Sequence, residues 1–415
     1  MQYKIKHNLM QQLNGIRVPL LLKDGIPEPM SAAYTVSALK TEKALNTIDT
    51  YLRPIIILYR WCDQEPINFH QRMASLEGFS ASEITELANE CKKNFREEDS
   101  ARGSTYKKRI TTIKAFTLHW FDFFLNRAKS DKTRFSNGRY VRELMKLKFE
   151  TLQSVPGTKS ETKKGLSPEL KEKFIEIINP LNEKGLNPWR SEKIRWRNYV
   201  LLCTYILSGA RRGEGLLLET VDYYLDGPDP KFAMKHRDRP VYPRAQQPAR
   251  KTRGKNVGIS KGFAEVIRYY LTDIRTQFKN AHKNTHMFLS GKDGGPISLG
   301  TVNAITNSIK EKYPEFKGHL SPHRLRNTFH DALEKALHEN PLSKNEIINQ
   351  SKKQAVQTYA GTWEPNSKMP KGYTEGERER MTNEITRKIQ KNTVIDINNK
   401  IDHRKKTRKT KGIKQ

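Results

Sequence analysis

The sequence predicts a mainly α-helical chain in two domains, with a small antiparallel β-sheet in the second. Three observations carry this. Apolar residues recur near the helical period through residues 31–150, and helical patterns return between 167 and 390. A polar stretch without periodicity, Ser154 to Leu166, separates the two blocks and contains Pro156, Gly157 and Gly165. Between Asp226-Gly227 and Ile259 the helical texture gives way to short apolar runs divided by turn residues. The boundaries are an arm at 1–30, a helical domain at 31–150, a basic linker at 151–166, a second domain at 167–390 and a basic tail at 391–415.

Composition bounds the partners. The chain has 415 residues, enough for two or three domains, each able to bury a core. Lys and Arg number 76 against 45 Asp and Glu, for a net charge of +31. Such an excess repels itself unless a polyanion neutralises it, which makes DNA or RNA the default partner. A membrane surface is the rival; no apolar run approaches spanning length, and residues 1–10 lack a signal-peptide core. Cys62, Cys91 and Cys203 have neither a disulfide framework nor zinc spacing, as fits a reducing cytosol.

In the arm, Val18-Pro19-Leu20-Leu21-Leu22 can pair as a short strand or drape over a neighbour. Helices follow over Thr41–Trp61 and Ser82–Phe95. In the first, Leu45, Ile48, Leu52, Ile55, Ile56, Leu58 and Tyr59 form the apolar face, and Pro54 is a possible kink. A third helix, Ser104–Leu125, sets Ile110, Ile113, Phe116, Trp120, Phe123 and Phe124 toward a core. Its opposite face carries Lys107, Lys108, Arg109 and Lys114, which either meet solvent or lie along a phosphate backbone. Lys159, Lys163 and Lys164 make the linker basic, as expected of a segment that crosses DNA.

In the second domain Ser167-Pro168-Glu169 opens a helix. The apolar run Tyr199–Leu207 ends in Ser208-Gly209-Ala210-Arg211-Arg212-Gly213-Glu214, so Arg211 lies between two apolar helices. An arginine there must be paired or face a ligand, and Glu214 can hold it. Short strands are expected at 232–234, 240–242 and 256–259. Lys251 sits in the turn before the last, where a lysine is either a solvated surface group or a mobile proton donor. Helices resume at Lys261–Thr276 and Leu299–Lys310. Ser321-Pro322 then reads as an N-cap followed by proline at the first helical position. His323 and Arg326 project from one face of that first turn, at the helix end that suits phosphate. A helix over Ser343–Gly361 and a Pro- and Gly-bearing loop follow, and the loop presents Tyr373 near the start of a helix over Glu375–Gln390. The tail at 396–415 is low-complexity and basic.

In order and texture these residues resemble the catalytic domain of the tyrosine recombinase (phage integrase) family of site-specific recombinases. The segment 208–214 resembles that family's Thr-Gly-x-Arg-x-x-Glu, Lys251-Thr252-Arg253-Gly254 its hairpin lysine, and His323-Arg324-Leu325-Arg326 its His-x-Leu-Arg. Tyr373 falls where the family has its nucleophile. Gly361-Thr362-Trp363 departs from the usual Gly-His, so either Trp363 or Thr362 takes the second-histidine position, with Trp363 preferred for its N–H donor.

The resemblance implies a two-domain DNA clamp in which the helical residues 31–150 are the core-binding domain. It implies that Tyr373 attacks a phosphodiester while Arg211, Arg326, His323 and Trp363 hold the phosphate oxygens. Glu214 supports Arg211, and Lys251 protonates the leaving 5′ oxygen. The product is a 3′-phosphotyrosyl enzyme, formed without metal, ATP or other cofactor. It further implies double-stranded DNA as partner and a homotetramer on paired sites, with accessory proteins or partner recombinases where needed. The role is integration or excision of a mobile element in the nucleoid of a prokaryotic cytoplasm. Two alternatives stand beside this: relaxation of one duplex as by a type IB topoisomerase, and an inactive DNA-binding accessory protein.

Overall fold

The structure, a computed structural model, describes residues 2–10, 16–40, 45–93, 103–153, 164–182, 184–235, 248, 254–361, 375–390 and 394. The chain divides into two units after Glu161. No helix among the described residues is long and apolar enough to cross a membrane.

The first unit starts with a sheet, where the sequence suggests an arm. Strands β1 (Tyr3–Met10), β2 (Ile16–Lys23) and β3 (Ile26–Pro27) pair antiparallel in that order. Of the two options for Val18–Leu22, the strand is realised. Val18, Leu21 and Leu22 are buried, and the Tyr3 ring stacks on Tyr59 at 5.8 Å. The Tyr3 hydroxyl donates to Asp63 at 2.7 Å and Lys23 donates to the same carboxylate at 3.0 Å. Asp24 (φ 49°) and Gly25 (φ 89°) make the tight turn between β2 and β3, a pairing that tolerates two left-handed residues.

Among the described residues six helices follow: α1 (Pro29–Lys40), α2 (Leu45–Gln64), α3 (Phe69–Ala74), α4 (Ala81–Lys92), α5 (Gly103–Arg127) and α6 (Lys132–Gln153). α2 continues through Pro54. α4 begins with a capping box, in which Ser80 and Glu83 satisfy each other's backbone N–H. The core joins Leu52, Ile55 and Leu58 of α2 to Ile110, Ile113, Phe116 and Phe121 of α5. The apolar face expected of α5 is thus mostly core, although Phe123 remains partly exposed.

The second unit is built around α8 (Glu192–Ser208), which is buried on all sides from Trp196 to Ser208. A helix covered all round carries no amphipathic stripe, and the sequence shows none. Before it comes α7 (Pro168–Ile178), capped by Ser167; after it come α9 (Arg212–Leu216), α10 (Lys261–Tyr269), α11 (Leu299–Lys312), α12 (Pro322–Glu339), α13 (Glu346–Gly361) and α14 (Glu375–Gln390). The sheet has the order β4 (Tyr223–Tyr224), β5 (Lys231–Met234) and β6 (Lys255–Gly258), all antiparallel, with Phe232 opposite Val257. Two of the expected strands are β5 and β6. The one expected at 240–242 lies outside the described residues, and β5 takes its second partner from β4, just before the Asp226-Gly227 turn.

The end of the linker is fixed to α12. The Leu166 N–H donates to the Thr328 hydroxyl at 2.8 Å, the Gly165 N–H to Asp331 at 3.1 Å, and Arg324 to the Lys164 carbonyl at 2.9 Å. A Cβ at Gly165 would lie 2.7 Å from the Thr328 backbone, so this approach requires glycine.

Candidate active site

Helix ends create the site. α8 stops at Gly209, whose φ of 62° reverses the chain, and a Cβ there would sit 2.5 Å from the Phe329 ring. The chain then presents Arg211 as the N-cap of α9. Glu214 reaches back with one oxygen to the Arg211 N–H at 2.7 Å and with the other to its guanidinium at 2.8 Å. The Glu214 side chain is 1% exposed and that of Arg211 31%, so the arginine is held from below and open above. Burial alone would raise the Glu214 carboxyl. The bonds from Arg211, with the charges of Arg211 and Lys255, outweigh it and keep the group below its usual range.

α12 delivers the second arginine. Ser321 caps it by accepting from the Arg324 N–H, with Pro322 in the first turn. His323 is exposed and Arg326 is buried. Arg326 donates to the Gly209 carbonyl and, at 2.9 Å, to the Gly361 carbonyl. Its pKa is pushed down to about 10, first by burial and then by the like charge of Arg211, so it stays protonated at neutral pH.

A buried lysine is also here. Lys251 lies outside the described residues. Lys255, four residues on, is buried, and its ammonium donates to the Ser208 carbonyl at 2.9 Å and the Ala360 carbonyl at 2.6 Å. The two cations therefore bridge the same two helix ends: Lys255 joins Ser208 to Ala360, and Arg326 joins Gly209 to Gly361. These carbonyls form the negative ends of α8 and α13, where a cation is favoured. A signal for Lys255 was present, since it shares the strand face of Val257 and Ile259, and an inward lysine must have partners.

His330 was missed. It lies four residues past Arg326 and seven past His323, on the same face of α12. Its pKa is lowered to about 3, first by burial and then by the charges of Arg326, Lys255, Arg211 and His323. The site thus holds a neutral imidazole among cations. Unfolded, the ring titrates near 6.5, so between pH 6.5 and about 3 the unfolded chain binds a proton that the folded one refuses. Stability contributed by the neutral ring is complete above 6.5 and is lost as pH falls across that window, at up to about 1.4 kcal/mol per pH unit. Denaturant unfolding should therefore show a steeper loss of stability from pH 7 to pH 5 in wild type than in His330→Asn; equal slopes would remove this role.

The other expected residues divide. Thr362, Trp363, Tyr373, Lys159 and Lys163 lie outside the described residues. Tyr359, a second tyrosine near the site, accepts from the Asn256 N–H at 3.0 Å and donates to the Asn256 carbonyl at 3.3 Å, so its phenol is a structural bridge. On α5, Lys107 and Lys108 are exposed. Arg109, expected on the same basic face, instead donates to the Cys91 and Lys93 carbonyls at 2.8 and 2.7 Å and closes the end of α4. Lys114 pairs with Glu150 at 3.1 Å. The Lys164 residue is exposed, with its carbonyl held by Arg324.

Chemically, Arg211, Arg326 and Lys255 lie around one carboxylate, Glu214, and the exposed His323 stands three residues before Arg326 on α12. That excess of fixed positive charge suits a bound anion with several oxygens.

No family model and no curated protein matches the chain. Among solved structures it is similar to the XerH site-specific recombinase bound to a palindromic difH substrate in a post-cleavage complex. The identity there is 16% over 69% of this chain and 78% of that one, with a TM-score of 0.36. It is also similar to the Tn1549 transposon integrase in complex with transposon right end DNA, at 14% identity over 74% and 99% of the two chains (TM-score 0.37). A third is the integrase from mycobacterium phage Brujita, at 12% identity over 86% and 92% (TM-score 0.31).

Proposed function

We propose that this chain is a site-specific recombinase of the tyrosine type, which cleaves and rejoins double-stranded DNA through a 3′-phosphotyrosyl intermediate. The observation that carries the reading is the convergence of Arg211, Arg326 and His323, three of the residues picked out by sequence order. What supports it is that Arg211, fixed by Glu214, and Arg326 are near enough to lower the pKa of Arg326, and that both arginines and His323 act on His330.

The mechanism follows from these residue types. Arg211 and Arg326 take the non-bridging oxygens of the scissile phosphate, and His323 adds a donor at the exposed rim. The Tyr373 oxygen forms the new bond to phosphorus as the bond to the 5′ oxygen breaks. His323 is suited to take the phenol proton. The added negative charge of the transition state falls among groups already in place, which need no reorganisation. Trp363 donates to the same phosphate. Attack by a 5′ hydroxyl of another duplex reverses the step and exchanges strands. Lys107, Lys108, Lys159, Lys163 and Lys164 meet backbone phosphates, and four copies assemble on paired sites of a mobile element.

Lys251 is assigned the proton donor and Lys255 a supporting charge. The two separate experimentally. Lys251→Ala should slow cleavage, and a substrate with sulfur at the 5′ bridging position should restore the rate, because a thiolate leaves without a proton. Lys255→Ala should slow both substrates alike, since it unties Ser208 from Ala360. Rescue of Lys255→Ala but not of Lys251→Ala would exchange the two roles. Strand exchange between paired duplexes, as opposed to relaxation of a single supercoiled one, separates recombinase from topoisomerase.

A further inference from the structure

Among the described residues β6 has one strand neighbour, β5, and α14 packs against it. On its open edge the backbone groups of Asn256, Gly258 and Ser260 point outward at the two-residue period of a strand. Side chains meet each of them. Tyr359 brackets Asn256 as described. Asn383 accepts from the Gly258 N–H at 2.6 Å, Gln390 donates to the Gly258 carbonyl at 3.3 Å, and Gln390 accepts from the Ser260 N–H at 2.7 Å. Asn383 and Gln390 stand seven residues apart, two helical turns, and therefore share one face of α14. Both are buried. A Cβ at Gly258 would lie 2.7 Å from the Asn383 Cβ, so the close approach depends on glycine. Buried amides that lose such partners are costly, and a slip of α14 by one residue would unpair the Gly258 and Ser260 groups that Asn383 and Gln390 hold.

We infer that Asn383 and Gln390 are positioning residues for the proposed transesterification: they lock α14 in register on β6 and so fix where the chain resumes after residues 362–374. This rests on the recombinase reading, in which that stretch carries the nucleophile. The preceding end of the stretch is already fixed, because Lys255 and Arg326 hold the Ala360 and Gly361 carbonyls. β6 begins at Lys255 and continues into the Asn383 and Gln390 contacts. One strand therefore serves as the common frame for the phosphate-side cation and for the segment that bears the tyrosine.

The test uses the full chain, nicked duplexes drawn from the DNA flanking its coding sequence, and two variants at one position. Asn383→Leu keeps the shape and removes the acceptor; Asn383→Asp keeps an acceptor for the Gly258 N–H. Three quantities are read: hydrogen exchange of the peptide spanning β6, DNA affinity, and the rate of adduct formation at saturating DNA. Asn383→Leu should speed exchange in β6 and slow adduct formation roughly tenfold, the weight of about one net hydrogen bond, with affinity unchanged. Asn383→Asp should restore both. Should Asn383→Leu fail to fold, Gly258→Ala, which displaces α14 without removing a polar partner, should give the same split. Fast exchange with a wild-type adduct rate overturns the positioning role. In the wild-type protein, adduct formation with an unprotected β6 overturns the lock and the positioning role together and leaves the recombinase reading standing. A protected β6 with no adduct in wild type contradicts the recombinase reading and the positioning role with it.

Discussion

Replacing Tyr373 with Phe should reduce covalent attachment to DNA to background and leave DNA binding unchanged. The substitution removes one oxygen and keeps the ring, and it changes none of the cations proposed to bind phosphate. Among the described residues, the rival tyrosine is not free to take over. Tyr359 is buried, with its phenol committed to both backbone groups of Asn256. Tyr359→Phe should therefore still form the adduct, more slowly if β6 loosens. Denaturing electrophoresis of protein incubated with a nicked duplex reads both variants. An adduct in Tyr373→Phe that is absent from Tyr359→Phe would reverse the assignment.

Arg326→Lys should slow cleavage by roughly a hundredfold or more, the usual effect of losing one preorganised transition-state donor. Arg326 acts twice. Its planar guanidinium can grip phosphate with two N–H groups, and it joins the Gly209 and Gly361 carbonyls across the ends of α8 and α13. A lysine keeps the charge but has neither the fork nor the reach to both carbonyls. A buried carbonyl left unpaired costs about 1–3 kcal/mol, so this variant should also unfold at lower denaturant. Arg211→Lys should match the loss of rate with less loss of stability, because Arg211 is partly exposed and its N–H contact to Glu214 survives. A near-normal cleavage rate in Arg326→Lys would make that arginine a structural tie only.

The parts of the site that could be read from sequence are those whose local chemistry is self-contained. Ser321-Pro322 specifies a helix start, Gly209 a helix stop, and Arg211 and Glu214 stand one turn apart; each reading depends on neighbours within a few residues. Arg326 follows from its place in that first turn. Lys255 and His330 depend on distant partners: Lys255 on the carbonyls of two helix ends, His330 on the charges of Lys255 and Arg211 from two other segments. No local pattern encodes such meetings. Arg109 illustrates the opposite error, since a basic residue on a basic face looks like a DNA contact until the end of α4 is brought against it. In the fold, α5 was legible because half its surface is core, whereas α8 gives no stripe because all of it is. β4 is two residues long and carries too little pattern to be read. The N-terminal strands β1 and β2 acquire their meaning only from packing Tyr3 and Val18 into the first unit.

The central claim is a covalent bond between one tyrosine and a 3′ phosphate, and it can be observed directly. Wild-type protein is incubated with nicked duplexes from the DNA flanking its coding sequence, the covalent species is isolated under denaturing conditions, and its peptides are mapped by mass spectrometry. Tyr373 should carry a nucleotide through a 3′ phosphate, with a free 5′ hydroxyl on the released strand. An attachment through a 5′ phosphate, an adduct on another residue, or cleavage that leaves no covalent species would contradict it.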